Sequence, residues 1–136
     1  MPRKLGIRAG DRVAALRPPA LFRDILGVLP EGVALHDDPE DFRGRAASGD
    51  GEYRVVLAFC PDAGSLTELF DRGRRLLARD GGMWVCWPKL SSPLARDLRA
   101  SDVREHGLQA GLVDNKVCAV DEDWSGLRFV YRLEDR

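Results

Sequence analysis

The chain has 136 residues, of which 21 are basic and 22 acidic, so its formal net charge at pH 7 is -1. A chain of this length is expected to form a single domain over residues 1–136 and to bury about two-thirds of its unfolded surface. The balanced charge gives no indication of a nucleic-acid partner, and no segment approaches the roughly 20 apolar residues of a membrane span. We therefore expect a cytoplasmic protein with neither nucleic acid nor a membrane as its partner.

Two strands and a helix are predicted before residue 37. Residues 12–17 form a short apolar run that ends at two prolines, which indicates a first strand. Pro19 can begin a helix that runs to Leu26, because the missing N–H of proline would be unsatisfied in a first helical turn anyway. The apolar residues 33–36 then predict a second strand.

The segment 37–52 is rich in charged residues, glycine and serine and has no apolar periodicity, which is typical of a mobile loop. It is therefore a candidate lid over a site. The nearly continuous apolar run 53–59 that follows it predicts a strand covered on both faces in a parallel sheet.

A strand–helix–strand unit is predicted over residues 53–87. Ser65 and Glu68 have the spacing of a capping box, and apolar residues repeat at helical spacing up to the pair Gly81-Gly82. The apolar residues 83–87 predict the next strand, which Pro88 ends. Two strands joined by a helix of this length imply a parallel, right-handed crossover.

The last third of the chain predicts an amphipathic helix and a β-hairpin. Residues 94–110 read as one bent helix or two, with potential caps at Ser92 and Ser101. Residues 112–120 predict a strand with Lys116 facing outward, and the alternating residues 127–132 predict an exposed-edge or antiparallel strand after a turn. The whole order predicts a three-layer, Rossmann-like α/β fold, with a mostly parallel sheet of about six strands that ends in an antiparallel hairpin.

The three cysteines are predicted to be reduced core residues. Cys60, Cys86 and Cys118 are odd in number and widely spaced, and each lies in an apolar run. None belongs to a paired ligand motif. Buried, unpaired cysteines behave as small apolar side chains.

The predicted order resembles a Rossmann-like methyltransferase that is shortened by one strand–helix unit. The chain as a whole resembles a bacterial family known only as domain of unknown function 3052. The segments that carry this resemblance are Leu5-Gly-Ile-Arg8, residues 29–33, Trp87-Pro-Lys89 with Ser91 and Ser92, residues 111–121 and residues 124–130. Pro93 departs from the family pattern, where a glycine is expected. The resemblance implies the fold and no activity.

A first candidate site follows from the predicted fold. In a doubly wound sheet, ligands bind beyond the carboxyl ends of the parallel strands. Asp37 and Asp38 follow the second strand, and Asp37 lies about 20 residues after the first, where dinucleotide-binding folds place a carboxylate on the ribose. The preceding loop, Arg17-Pro18-Pro19-Ala20, lacks the glycines that let a backbone approach a cofactor closely. Conventional binding of adenosylmethionine or NAD is therefore not expected, and the cofactor is left unassigned.

A second candidate site lies between the end of the strand 83–87 and the hairpin. Because Pro88 ends the strand, the residues after it are presented from a loop, where cations and hydroxyls could hold an anionic group. The competing interpretation is that the two tryptophans pack at the edge of the core and that the lysines are surface residues. The candidate residues are Trp87, Lys89, Ser91, Ser92, Lys116, Asp121, Trp124 and Ser125.

The basic residues of the N-terminus and of the predicted long helix are interpreted as solvated surface, balanced by nearby acids. They lack the interleaved aromatic residues of a nucleic-acid-binding face. They are Arg3, Lys4, Arg8 and Arg12, and Arg72, Arg74, Arg75 and Arg79.

No recognised catalytic motif is present in the sequence: it has no Gly-x-Ser-x-Gly elbow, phosphate loop, His-Glu-x-x-His helix or Cys-x-x-Cys pair. The favoured hypothesis is a non-catalytic Rossmann-like module that binds a partner protein or a small anionic ligand. The second is a small transferase that uses Asp37 or Asp38 and Lys89. The third is a homodimeric assembly protein whose seam is formed by the terminal hairpin and Trp124.

Overall fold

The computed structural model describes residues 1–39 and 51–136. The helices are α1 (Pro2–Leu5), α2 (Phe22–Leu26), α3 (Ala63–Leu76) and α4 (Ala100–Gln109), and a short 3-10 helix covers Leu133–Asp135. The strands are β1 (Arg12–Leu16), β2 (Ala34–Asp37), β3 (Tyr53–Phe59), β4 (Leu77–Pro88), β5 (Leu112–Ala119) and β6 (Trp124–Tyr131). Of the predicted lid 37–52, residues 40–50 lie outside the described residues.

The six strands form one mixed sheet in the order β2-β1-β3-β4-β6-β5. The strands β2, β1, β3 and β4 are parallel, whereas β6 is antiparallel to both β4 and β5. The prediction of a mostly parallel sheet is therefore only partly right, and the antiparallel C-terminal hairpin is confirmed. Of the two alternatives predicted for residues 127–132, the antiparallel strand is confirmed and the exposed edge is wrong, since β6 is an interior strand and β5 is the edge strand.

Helices cover both sides of this sheet. On one side, Leu66, Leu69 and Phe70 of α3 and Val103 of α4 pack against the sheet in one apolar cluster. On the other side, Leu5, Phe22 and Leu26 from the region of α1 and α2 pack in a second cluster that includes Phe59 and Trp84 of the sheet. Trp84 is fully buried, and its indole Nε1–H donates to the Leu5 carbonyl at 2.9 Å, which ties α1 to the centre of the sheet.

The long helix begins earlier than its sequence pattern predicts. Asp62 is the N-cap of α3, and its carboxylate accepts a hydrogen bond from the Ser65 N–H at 2.9 Å. The Ser65 hydroxyl donates back to the Asp62 carbonyl at 3.0 Å, so Ser65 lies inside the first turn and is buried. Asp62 supplies the capping oxygen that the sequence pattern assigns to Ser65.

The pair Gly81-Gly82 lies within β4 instead of forming the turn before it. A Cβ added at Gly81 would overlap the Arg54 carbonyl of β3, and one added at Gly82 would overlap the Arg128 guanidinium of β6. Gly81 is therefore required by the backbone of β3, whereas the group over Gly82 is the end of a flexible side chain. A local sequence pattern reveals neither contact.

The amphipathic region 94–110 becomes helical only from Ala100, and Ser101 is not its cap. Asp102 accepts a hydrogen bond from the Arg99 N–H at 3.1 Å, which satisfies a donor at the start of α4. The helix predicted over residues 19–26 is likewise shorter than expected, since α2 begins at Phe22 and not at Pro19.

All three cysteines are buried and free, as the sequence predicts. Burial raises the pKa of Cys60 to about 12, with a smaller effect in the same direction from the Asp62 carboxylate. Burial likewise raises the pKa values of Cys86 and Cys118. These thiols stay protonated at neutral pH and act as packing residues. Among the described residues, no helix has the length and apolar character to cross a membrane.

Candidate functional site

The carboxyl ends of β1 and β2 are tied together by Asp38. Its carboxylate accepts a hydrogen bond from the Arg17 N–H at 2.9 Å, and its own N–H donates to the Ala15 carbonyl at 2.7 Å. Arg17 and Asp38 have φ angles of 50° and 46°, in the left-handed region that non-glycine residues rarely adopt. Asp37 lies beside Arg23, with 3.2 Å between the carboxylate and the guanidinium. The two predicted acidic residues are thus both engaged by arginines of this chain.

The N-terminus of α3, at the same end of the sheet, is also filled by carboxylates of the chain. The Ala63 N–H donates to Asp97 at 2.9 Å, and the Ser65 N–H donates to Asp62. The hydrogen bonds from Ser65 are the main cause that lowers the pKa of Asp62. Helix N-termini and strand-end loops are where α/β folds commonly receive anionic groups. Here internal carboxylates occupy those donors.

Removing the Asp38 carboxylate tests its role in this loop. We expect Asp38→Ala to lower the free energy of unfolding by about 1–2 kcal/mol, because the Arg17 N–H loses its acceptor and alanine is strained at a positive φ. Asp38→Asn is the matched control, since asparagine keeps an acceptor oxygen and tolerates the left-handed region. Urea denaturation of the three proteins measures the difference. Equal losses in both variants would contradict this role.

A pocket of about 500 Å³ opens where β4 ends and is bordered by β5, β6 and the start of α4. The register pairs Trp87 with Ser125 and Val117 with Leu127, which places these four residues on one side of the sheet. Lys89 follows Pro88 out of the strand, and its backbone N–H donates to the Asp123 carbonyl at 2.8 Å. The loop after β4 is thus fixed to the turn between β5 and β6.

Four of the eight residues predicted for the second candidate site lie in this pocket. Trp87, Lys89, Ser91 and Ser125 all line it. The side chain of Lys116 instead reaches the other side of the sheet, where its Nζ donates to the Lys4 carbonyl at 3.4 Å.

The remaining three predicted residues have structural contacts. The Ser92 hydroxyl donates to Asp123 at 2.8 Å, and the Asp121 carboxylate accepts from the N–H groups of Asp123 and Trp124, each at 2.8 Å. Trp124 packs edge to face on Phe59 in the cluster on the far side, with 5.2 Å between ring centroids. These residues build the turn and the core beside the pocket and do not line it.

Two arginines that the sequence analysis did not single out complete the pocket. Arg99 precedes α4 and Arg104 lies one turn into it. Arg104 pairs with Asp114, with 3.0 Å between Nε and Oδ2. Neither Lys89 nor Arg99 forms an ion pair with any residue that the structure describes. The pocket therefore carries two positive charges that the described part of the chain does not neutralise.

The aromatic wall of the pocket also has an unused donor. Trp87 is only 7% exposed, yet its indole N–H donates to no atom of residues 1–39 or 51–136. This nitrogen is not among the buried polar atoms that lack a partner, so it is open to solvent and can donate to a ligand. Leu90 and Val117, both largely exposed, add apolar surface to the same pocket. The arrangement suits a ligand with an apolar body and an anionic end.

Solved structures define the class of fold. A protein of Sulfolobus solfataricus assigned to the type 11 methyltransferases is similar over 97% of this chain and 89% of its own, with a TM-score of 0.62 and 11% identity. A SAM-dependent methyltransferase of Aquifex aeolicus is similar over 93% of this chain and 85% of its own, with a TM-score of 0.55 and 12% identity. Magnesium protoporphyrin IX methyltransferase of Synechocystis, solved with bound SAH, matches 92% of this chain over 75% of its own, with a TM-score of 0.57 and 11% identity. The chain thus has a Rossmann-like, methyltransferase-like fold, with Arg17-Pro18-Pro19-Ala20 as the loop after β1.

Within that class of fold, the chain belongs to the family described as "Protein of unknown function (DUF3052)", whose family model matches residues 47–133. The resemblance drawn from the sequence is thereby confirmed. No curated protein matches the sequence.

Proposed function

We propose that this chain is a non-catalytic binding module of methyltransferase-like fold, and that it holds a small anionic ligand with an apolar body in the pocket at the end of β4. The observation that carries the proposal is the pair of cations, Lys89 and Arg99, beside the unpaired indole N–H of Trp87. A carboxylate, sulfonate or phosphate can accept hydrogen bonds from all three groups.

The apolar side chains in the walls of the pocket indicate that the ligand has an apolar body. Trp87 and Leu127 belong to the core cluster, and Leu90 and Val117 extend the same surface outward. A volume of about 500 Å³ is within the range of small-molecule sites. An aryl or acyl chain would cover this surface while its charged end meets Lys89 and Arg99.

The carboxyl ends of β1 and β2 are less suited to an anion. The backbone donors there already bind Asp38, Asp62 and Asp97 of this chain. A ligand that used these donors would first have to displace a carboxylate. The alternative function is a small transferase that uses Asp37 or Asp38 and Lys89. It would require Asp37 to leave Arg23 or Asp38 to release the Arg17 N–H.

Binding of anilinonaphthalene sulfonate, an aromatic sulfonate with an apolar body, tests the proposal. We expect Lys89→Gln and Arg99→Gln each to weaken binding about tenfold and the double variant about a hundredfold, because each charged donor contributes roughly 1.5 kcal/mol or more. Arg96→Gln is the matched control: it removes an exposed arginine that does not line the pocket. Titration followed by probe fluorescence and by calorimetry gives the dissociation constants.

The outcomes separate the competing functions. Equal probe affinity in the native protein and the double variant would exclude the pocket as the anion site. A rise of several degrees in melting temperature with adenosylmethionine, kept in Arg99→Gln and reduced in Asp38→Asn or Lys89→Gln, would support the transferase instead. A solution mass of twice 15.1 kDa would support the homodimer, whose seam would involve the edge strand β5.

A further inference from the structure

A second group of cations lies on the opposite side of the sheet from the pocket. Arg128 of β6 pairs in register with Trp84 of β4 and with Lys116 of β5. Residues directly opposite each other in antiparallel strands share a face. Trp84 belongs to the cluster beneath α1, so Arg128 and Lys116 lie on that same side.

Contacts with the N-terminus bring a third cation to this surface. The Lys116 ammonium donates to the Lys4 carbonyl at 3.4 Å, and the Lys4 ammonium donates to the Ala119 carbonyl at 2.9 Å. The side chains of both lysines therefore lie at the edge of β5, and Arg128 lies on the neighbouring strand β6. Lys4, Lys116 and Arg128 form the centre of what we name the hairpin basic cluster.

The side chain of Arg128 is partly buried. Its guanidinium lies directly over Gly82, where an added Cβ would overlap it. Its only hydrogen bond to a described residue is a long one, 3.4 Å from Nη1 to the amide oxygen of Asn115. Most of the donor fork of this arginine thus has no acceptor from the described part of the chain.

Within residues 1–39 and 51–136, no carboxylate forms an ion pair with this cluster. Burial lowers the pKa of Arg128, and the charges of Arg136 and Arg8 lower it further. None of these cations, nor Lys4 or Lys116, forms an ion pair with a described residue. By contrast, Arg54, Arg74 and Arg104 are each paired with an aspartate.

We propose that the hairpin basic cluster is a binding site for a phosphate group, with the Arg128 guanidinium as its central donor and Lys4, Arg8, Lys116 and Arg136 as the surrounding charges. A guanidinium presents a planar fork of donors that matches two phosphate oxygens. A partly desolvated arginine among other cations is unfavourable in the free protein, and a multiply charged oxyanion relieves that repulsion. This site shares no residue with the pocket at the end of β4.

Titration with inorganic pyrophosphate, at an ionic strength held constant with sodium chloride, tests the site. We expect the native protein to bind pyrophosphate and Arg128→Gln to weaken that binding about tenfold or more, since the lost interactions involve two ionised groups. Arg128→Lys keeps the charge without the fork and should give an intermediate affinity. Arg96→Gln and the double variant Lys89→Gln/Arg99→Gln should bind pyrophosphate as the native protein does.

Stability provides an independent readout. Without pyrophosphate, the melting temperature of Arg128→Gln should be unchanged or higher, because an unneutralised, partly buried charge has been removed. Should Arg128→Gln fold poorly, Arg8→Gln removes an exposed cation of the same cluster and should weaken pyrophosphate binding several-fold. A nucleoside diphosphate titrated in parallel identifies the source of the phosphate: tighter binding than pyrophosphate indicates a nucleotide, and equal binding indicates free phosphate.

Two results would overturn the proposal. One is the absence of pyrophosphate binding to the native protein at matched ionic strength. The other is binding that the Arg128 and Arg8 variants leave intact, or that the Lys89 and Arg99 double variant abolishes, since the anion would then occupy the other site.

Discussion

Trp84→Ala is expected to lower the free energy of unfolding by about 3–5 kcal/mol, the largest loss that we predict for a single substitution in this chain. Trp84 is fully buried in the middle of β4 and is the largest fully buried side chain of the described residues. Removing the indole leaves a cavity between the sheet and α1, and it also removes the only donor that the Leu5 carbonyl receives from a side chain in the described residues. Guanidinium denaturation, followed by circular dichroism, measures the loss.

Trp84→Phe separates the two contributions. Phenylalanine keeps most of the apolar contact but cannot donate to the Leu5 carbonyl, so we expect a smaller loss, of about 1–3 kcal/mol. A loss below about 1 kcal/mol for Trp84→Ala would mean that α1 does not pack on the sheet as described. In that event the position of Lys4 in the hairpin basic cluster would also be in doubt.

The strands that the sequence predicts best are those whose burial leaves the strongest pattern. Residues 53–59 form a continuous apolar run, and β3 has these bounds. The strand lies between β1 and β4, with both faces covered, so each of its positions except Arg54 is buried. A strand of this kind is specified by its composition alone, because every position that faces a layer of helices must be apolar.

The errors arise where tertiary contacts determine the conformation. Gly81-Gly82 has the sequence of a turn, but it lies in β4, where the Arg54 carbonyl leaves no room for a Cβ at position 81. The alternation in residues 127–132 suggests an exposed edge, yet β6 lies between β4 and β5. Leu127, Phe129 and Tyr131 face the core cluster that includes α3 and α4, whereas Arg128 lies on the other side of the sheet. The alternation therefore shows that one face is apolar, and it does not distinguish an interior strand from an edge strand.

In the candidate site too, local sequence patterns predict some residues correctly, and tertiary contacts determine the others. The sequence brings Trp87, Lys89 and Ser125 together because they lie at the ends of adjacent strands. It does not separate Ser125 from Trp124, although neighbouring residues of a strand face opposite sides of the sheet. Arg99 and Arg104 are absent from the predicted site because their position depends on how α4 packs against β6, and no local pattern encodes that packing.

Gly107→Ala tests that packing directly. A Cβ at position 107 would overlap the ring of Phe129, so the helix or the ring must move. We expect a loss of about 1–3 kcal/mol in the free energy of unfolding, which is the usual cost of overpacking a core. Because α4 carries Arg104 and follows Arg99, its displacement should also weaken anilinonaphthalene sulfonate binding, although neither cation is altered.

The same substitution at Gly64 is the matched control. Gly64 lies in α3 with its nearest neighbouring atom 3.7 Å from an added Cβ, so Gly64→Ala fits without displacement. Its stability should be unchanged or slightly raised, since alanine favours helix over glycine. Its probe affinity should match that of the native protein. If Gly107→Ala lost stability but kept full probe affinity, the pocket would not depend on the position of α4, and Arg99 would have to be removed from the proposed site.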